Sequence, residues 1–169
     1  MTRVFLGITG ASGVIYGIKV LELLRKAGVE IHLSISKTAE KVIRLETDYD
    51  VQYVKSLADY VWPEDDLTAP PASGSFGIDA VAVVPCSTKT LAAIANGITI
   101  NLITRFYDRP AVEPRRRSWL QTAASGAFVR RQYGLQPSYE RGYEAGGGLV
   151  VWYLAPHALG VWAVVLIFM

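Results

Sequence analysis

Apolar and polar positions along the chain fall into two regimes. In the first 105 residues, short apolar runs alternate with amphipathic stretches. Arg3–Ile8 (RVFLGI) is a compact apolar run, as expected of a buried parallel strand. The small-residue turn Thr9–Gly13 (TGASG) follows it. Val14, Ile15, Ile18, Leu21 and Leu24 then recur at helical spacing, with Lys19, Glu22, Arg25 and Lys26 between them. Gly28 stands where a helix C-terminus belongs. Glu30–Ser36 (EIHLSIS) alternates and predicts a second strand. Helices are predicted over Thr38–Leu45 and Val51–Leu57. Pro63, Pro70, Pro71, Gly74 and Gly77 mark a long connection. Ala80–Val84 (AVAVV) predicts a third buried strand, Pro85–Thr90 a turn, and Thr90–Ala95 the start of another helix. Strand and helix alternate, so the class is α/β with a mostly parallel sheet.

The second regime begins near residue 105. Residues 1–105 carry 6 Lys and 4 Arg, whereas residues 106–169 carry 7 Arg, no Lys and three of the four Trp. From Ala145 onward there is no Asp, Glu, Lys or Arg. Translation in a shifted reading frame would produce such an Arg-rich, Lys-free, Trp-rich composition. Arg115–Arg117 and Arg130-Arg131 read as solvated charge. Leu149–Met169 is apolar enough to contact or cross a bilayer, but Pro156 and His157 in its middle count against a spanning helix. Val150–Leu154 and Val161–Phe168 fit strands or a helix equally.

Composition narrows the classes further. The chain has 169 residues, 51% of them hydrophobic and 19% charged, enough to bury one domain core. A net charge of +2 argues against a nucleic-acid binder. A single cysteine, Cys86, excludes a disulfide framework, and two histidines, His32 and His157, argue against a metal centre. The N-terminus lacks a signal-peptide pattern, so a cytoplasmic protein is expected.

In open parallel sheets, ligands bind beyond the carboxyl ends of the strands. Three segments fall there: Gly10–Gly13, Ser36–Thr38 and Cys86–Thr90. Gly7, Gly10 and Gly13 are spaced GxxGxxG, unlike the dinucleotide pattern GxGxxG. They suit either a phosphate or a tight strand-to-helix turn, and Ser12 can cap the helix or donate its hydroxyl to an anion. After the second strand a nicotinamide enzyme wants an acid, but this chain has Ser36-Lys37-Thr38. A ligand with a phosphate on a reduced sugar chain remains allowed, and the plainer role for Ser36 is a helix cap. Ser87, Thr88, Lys89 and Thr90 set three hydroxyls and a lysine at one turn. A lysine at a helix start opposes the macrodipole unless an anion is near. Cys86 reads as a small buried residue, and Asn96 and Asn101 as cap or turn residues.

These residues also carry a resemblance. GITGASGVIYG (7–17), Ser36-Lys37, LETDYD (45–50), SGSF (73–76), PCSTKTLAAIANG (85–97) and NLITR (101–105) resemble the UbiX-type flavin prenyltransferases. The resemblance implies a flavodoxin-like, Rossmann-type three-layer α/β/α fold over residues 1–110, with an atypical tail over 111–169. It implies metal-independent transfer of a dimethylallyl group from dimethylallyl phosphate to N5 and C6 of reduced FMN. The product would serve a UbiD-type decarboxylase, and a homo-oligomer is expected. The FMN contacts carry over to Gly10, Ala11, Ser12, Ser36, Ser87, Thr88, Lys89 and Thr90. Ser12 would help organise flavin and phosphate. Phe106-Tyr107-Asp108-Arg109-Pro110 matches a later family motif whose tyrosine, here Tyr107, touches the allyl phosphate. The family's Arg-Glu-Thr-Pro strand has no counterpart, and a later basic residue falls on Ala123. A flavin-binding module without turnover is therefore the alternative. Related cysteine decarboxylases use an early histidine, but His32 lies within the second strand, which weakens that third reading.

Overall fold

The computed structural model describes residues 1–105 together with the backbone of the strands at 149–154 and 163–168. Strand β1 (Arg3–Ile8) occupies the middle of the sheet and is bonded along both edges. It pairs in parallel with β2 (Glu30–Ile35), from Arg3↔Glu30 to Ile8↔Ile35. On its other side it pairs in parallel with β4 (Ala80–Val83), from Val4↔Ala80 to Gly7↔Val83. The two-residue edge strand β3 (Tyr60–Val61) adds to β2. Strands β5 (Leu149–Leu154) and β6 (Ala163–Phe168) extend the other edge, so the order is β3-β2-β1-β4-β6-β5. The first four strands are parallel, and β6 runs antiparallel to both β4 and β5.

Alternation of β1 side chains sorts the core into two layers. Leu6 and Ile8 face helices α1 (Val14–Lys26), α2 (Lys37–Glu46) and α3 (Val51–Ser56), packing on Ile18, Leu21, Ile43 and Val54. Phe5 faces the opposite layer, built from α4 (Thr88–Ala95), α5 (Leu102–Arg105) and the connection after β3. Leu6, Ile18, Leu21, Ile43 and Ile103 are fully buried, and each such side chain contributes about 1.5–3 kcal/mol. The result is the three-layer, flavodoxin-like arrangement expected.

Local chemistry explains the element ends. Ser36 and Asp50 cap α2 and α3, accepting from Ala39 N and from Gln52 N and Tyr53 N. Gly28 takes φ +69° just past α1, where an L side chain would be strained. Helix α4 starts at Thr88, two residues before the expected Thr90, because Ser87 is its cap. Likewise α2 starts at Lys37 rather than Thr38. Neither β3 nor α5 was expected. The long connection holds two short 3-10 turns, Pro70–Ala72 and Gly74–Phe76. Within the apolar stretches that fitted either strand or helix, Leu149–Leu154 and Ala163–Phe168 are strands. Among the described residues, no helix is long and apolar enough to cross a membrane.

A histidine is buried on the β2 side of the second layer. His32 is 1% exposed, stacked on Tyr60 at 4.8 Å between ring centres and edge-on to Phe76 at 5.1 Å. The Trp62 indole N–H, which can only donate, reaches Nδ1 at 3.1 Å. The ring proton therefore sits on Nε2 and is donated to Glu30 Oε1 at 2.9 Å. Glu30 is held in turn by Arg3 at 3.0 Å, and the Arg3 guanidinium lies over Phe76. The Ser73–Phe76 segment is thus tied to the first residue of β1.

Gly17 fixes how closely α1 can approach the end of β4. A Cβ there would lie 2.2 Å from the Val84 carbonyl oxygen. Gly17→Ala is expected to lower the unfolding free energy by about 1–3 kcal/mol, read from the urea midpoint. Leu23→Ala on the exposed face of the same helix should stay within about 0.5 kcal/mol.

Candidate functional site

Because β1, β2 and β4 are parallel, the helices that follow them begin at one rim of the sheet. There α1, α2 and α4 present Gly10–Gly13, Ser36–Thr38 and Ser87–Thr90, the three segments expected to form the site. A single hydroxyl joins the first segment to the third. Thr9 Oγ1 donates to Pro85 O at 2.7 Å and accepts from Ser87 N at 2.7 Å, and Thr9 N donates to the same Pro85 carbonyl. Thr9 is 3% exposed. Close packing joins the first segment to the second, since a Cβ on Gly10 would lie 2.3 Å from Thr38 Cγ2. Gly10 is thereby accounted for as a packing residue.

The serines divide their work. Ser36 Oγ accepts from Ala39 N at 3.0 Å, which realises the capping role and leaves its hydroxyl hydrogen to donate elsewhere. Ser87 Oγ caps α4 through Thr90 N at 3.3 Å and pairs with Thr90 Oγ1 at 2.9 Å. Of the two roles open to Ser12, capping is not the one taken. The N-cap of α1 is Gly13, in the left-handed region at φ +87°, with no side-chain capping bond. Ser12 is exposed, Ala11 half-buried. Thr88 and Lys89 are exposed in the first turn of α4, and Lys89 has no ion-pair partner among the described residues. Tyr107 lies outside the described residues.

Two carboxylates reach the rim from distant parts of the chain, and neither was a candidate. Glu46, at the far end of α2, accepts from Gly13 N at 2.9 Å. Glu64, in the connection after β3, accepts from Lys37 N at 2.8 Å. Negative charge at a helix N-terminus is favourable, so the first turns of α1 and α2 each carry an acid of the chain's own. Among the described residues, no acid is bonded to the first turn of α4. The Lys37 ammonium pairs with Asp65 at 2.7 Å. That bond raises the lysine pKa and lowers the carboxyl pKa, though both groups are exposed. Asn96 and Asn101 take cap roles. Asn96 Nδ2 donates to Ala92 O, and Asn101 Oδ1 accepts from Thr104 N. His32 lies inside the sheet with both ring nitrogens bonded. Ser73 to Phe76 lie against the start of β1, away from the rim.

Known proteins resemble this chain in sequence and fold. The Flavoprotein family model matches residues 1–124. The "Flavin prenyltransferase UbiX" of Archaeoglobus fulgidus is 46% identical over 114 residues, which is 68% of this chain and 63% of the relative. A crystal structure described as AnUbiX (PadA1) in complex with FMN and dimethylallyl pyrophosphate is 51% identical. It superposes with a TM-score of 0.62 over 63% of this chain and 57% of that one. A dodecameric FMN-dependent Ubix-like decarboxylase from Escherichia coli O157:H7 is 42% identical with a TM-score of 0.62, over 63% of this chain and 59% of that one. The chain spans less than two thirds of the length of each of these relatives.

Two tests follow from the rim. Thr9→Val keeps the shape and leaves the Ser87 N–H without its acceptor. It should cost about 1–3 kcal/mol of stability by urea unfolding, while Thr9→Ser should recover most of that loss. Cys86, immediately before Ser87, is buried, and burial pushes its thiol from 9.0 up to about 12. The native chain at pH 8 should resist a disulfide-exchange thiol reagent and react only after unfolding. The unfolded thiol ionises near 9.0 while the folded one stays protonated to about 12. The contribution of Cys86 to stability is therefore complete below pH 9 and lost as pH rises toward 12, which urea midpoints across that range would show.

Proposed function

The chain belongs to the Flavoprotein family, and from that membership we propose that it is a flavin prenyltransferase, joining a dimethylallyl group from dimethylallyl phosphate to N5 and C6 of reduced FMN. The observation that carries this reading is the convergence of Ser36, Ser87, Thr90 and Lys89 at the carboxyl ends of β1, β2 and β4. The residues present fit a flavin mononucleotide. Ser36 keeps a donor hydrogen beside its cap, α4 opens on hydroxyls with no acid in its first turn, and no acid follows β2 to hold a second ribose. Similarity to relatives called flavin prenyltransferases supports the same ligand.

In this reading Gly10, Ala11 and Ser12 border the flavin, Ser36 donates to the ribityl chain, and Ser87, Thr88 and Thr90 hold the FMN phosphate with Lys89. Reduced FMN would supply nucleophilic N5 and C6. The bond to N5 would replace the allylic C–O bond as phosphate leaves and N5 gives up its proton. The bond to C6 would consume the alkene, which gains a proton while C6 loses one. Ser12 orients flavin and allyl phosphate against each other. Tyr107 donates to the allyl phosphate, and the Lys89 charge offsets the charge that develops as phosphate departs. The product passes to a UbiD-type decarboxylase, and the chain assembles as a homo-oligomer. The likeness to a dodecameric relative supports that assembly.

A second reading, FMN binding without turnover, is favoured by the lack of an Arg-Glu-Thr-Pro counterpart after Arg105. Titration separates the readings. Purified chain should quench FMN fluorescence saturably, and Lys89→Ala/Ser36→Ala should weaken binding by about tenfold or more. Reduced FMN with dimethylallyl phosphate and the chain should then yield a new flavin chromophore. Binding without that chromophore leaves the module reading standing. Folded chain that binds no FMN overturns both.

A further inference from the structure

We propose that Glu64 is a positioning residue for the flavin site and that Asn101 is its working partner, an inference that rests on the flavin reading above. Glu64 lies three residues past β3 and is half-buried. Both of its carboxylate oxygens are engaged. Oε1 accepts from Lys37 N at 2.8 Å and Oε2 accepts from Asn101 Nδ2 at 2.8 Å. Its backbone carbonyl accepts from Leu102 N at 2.7 Å. One residue thus ties the first turn of α2 to the first turn of α5.

What it ties is the flavin rim. Ser36 precedes the Lys37 amide that Glu64 holds. On its other side the same turn is pressed against Gly10, where Thr38 leaves no room for a Cβ. Helix α5 is anchored under β1, because Ile103 fills the space a side chain at Gly7 would need. Asn101 is itself oriented, since its Oδ1 accepts from Thr104 N at 3.1 Å and its Nδ2 must therefore face Glu64. The neighbouring Lys37–Asp65 pair is exposed on both sides and contributes little to fixing the turn. Glu64 holds the Ser36 hydroxyl in place without touching the flavin.

Donor and acceptor chemistry supplies a test by exchange. In Glu64→Gln the amide must set its NH2 against either Lys37 N–H or Asn101 NH2, whichever way it turns. In Asn101→Asp two carboxylates oppose each other. In the double exchange Glu64→Gln/Asn101→Asp, the introduced amide accepts from Lys37 N and donates to the introduced carboxylate. That carboxylate still accepts from Thr104 N.

FMN titration and thermal melting are measured on the wild type and all three variants. Each single change should weaken FMN binding about tenfold or more, and the double exchange should return it to within about threefold of wild type. Ser36→Ala added to Glu64→Gln should weaken binding less than the product of the two separate effects, because both act through one turn. Single variants that melt lower yet bind FMN as the wild type does would reduce Glu64 to a structural residue and overturn the proposal. A double exchange that melts like wild type but binds as weakly as the single variants overturns it too. Wild-type chain that binds no FMN removes the flavin reading and this role together, a result told apart by the wild-type control alone.

Discussion

The rim of this protein depends on one buried hydroxyl. Parallel strands place the starts of their following helices side by side, but nothing in strand pairing sets how far each loop rises above the sheet. Thr9 sets it for β1 and β4. Its oxygen takes the amide that opens the α4 turn and gives its hydrogen to the Pro85 carbonyl. A buried amide without an acceptor is costly, so the two loops are held level. Gly17 then lets α1 close onto the Val84 carbonyl. The grouping of hydroxyls along the rim rests on that arrangement.

Two kinds of force act above this base, and they are of different strength. Apolar burial on both faces of β1 supplies the bulk of the stability. The polar contacts at the rim add less energy but more definition, since each fixes the direction of one group. Ser36 and Ser87 each satisfy an amide in the first turn of their helix. The imidazole of His32, locked between an indole donor and a carboxylate, does similar work at the β3 edge. There a strand of only two residues would otherwise be weakly held.

The elements that the sequence reveals are those whose pattern is local. β1, β2, β4 and the helices α1 to α3 announce themselves through apolar spacing and end residues, within a residue or so of their observed bounds. β3 does not, because two exposed residues carry no alternation and are a strand only by pairing with His32 and Leu33. α5 is a single turn defined by the Asn101–Thr104 cap, again too short for periodicity. At the site, the hydroxyl segments were legible as helix starts. Thr9 was visible only as part of a turn, with no sign that its hydroxyl bridges to residues 76 and 78 positions away. Glu46 and Glu64 reach amides 33 and 27 positions distant, and no local pattern can signal such contacts. Of the two roles the sequence leaves open to Ser12, capping is absent because a left-handed glycine, Gly13, stands at the N-cap with no side chain at all.

The acids on the first turns of α1 and α2 have a consequence for how the rim meets its solution. A carboxylate tethered to the same fold stays beside its amide at an effective concentration of about millimolar or above. Buffer phosphate, sulfate or a stray nucleotide must outcompete it to land on α1 or α2. Among the described residues, no acid is bonded to the first turn of α4. A visiting anion therefore meets the chain's own carboxylates first at α1 and α2, so occupancy from within the fold, and not the helix starts alone, sets what those two turns can accept.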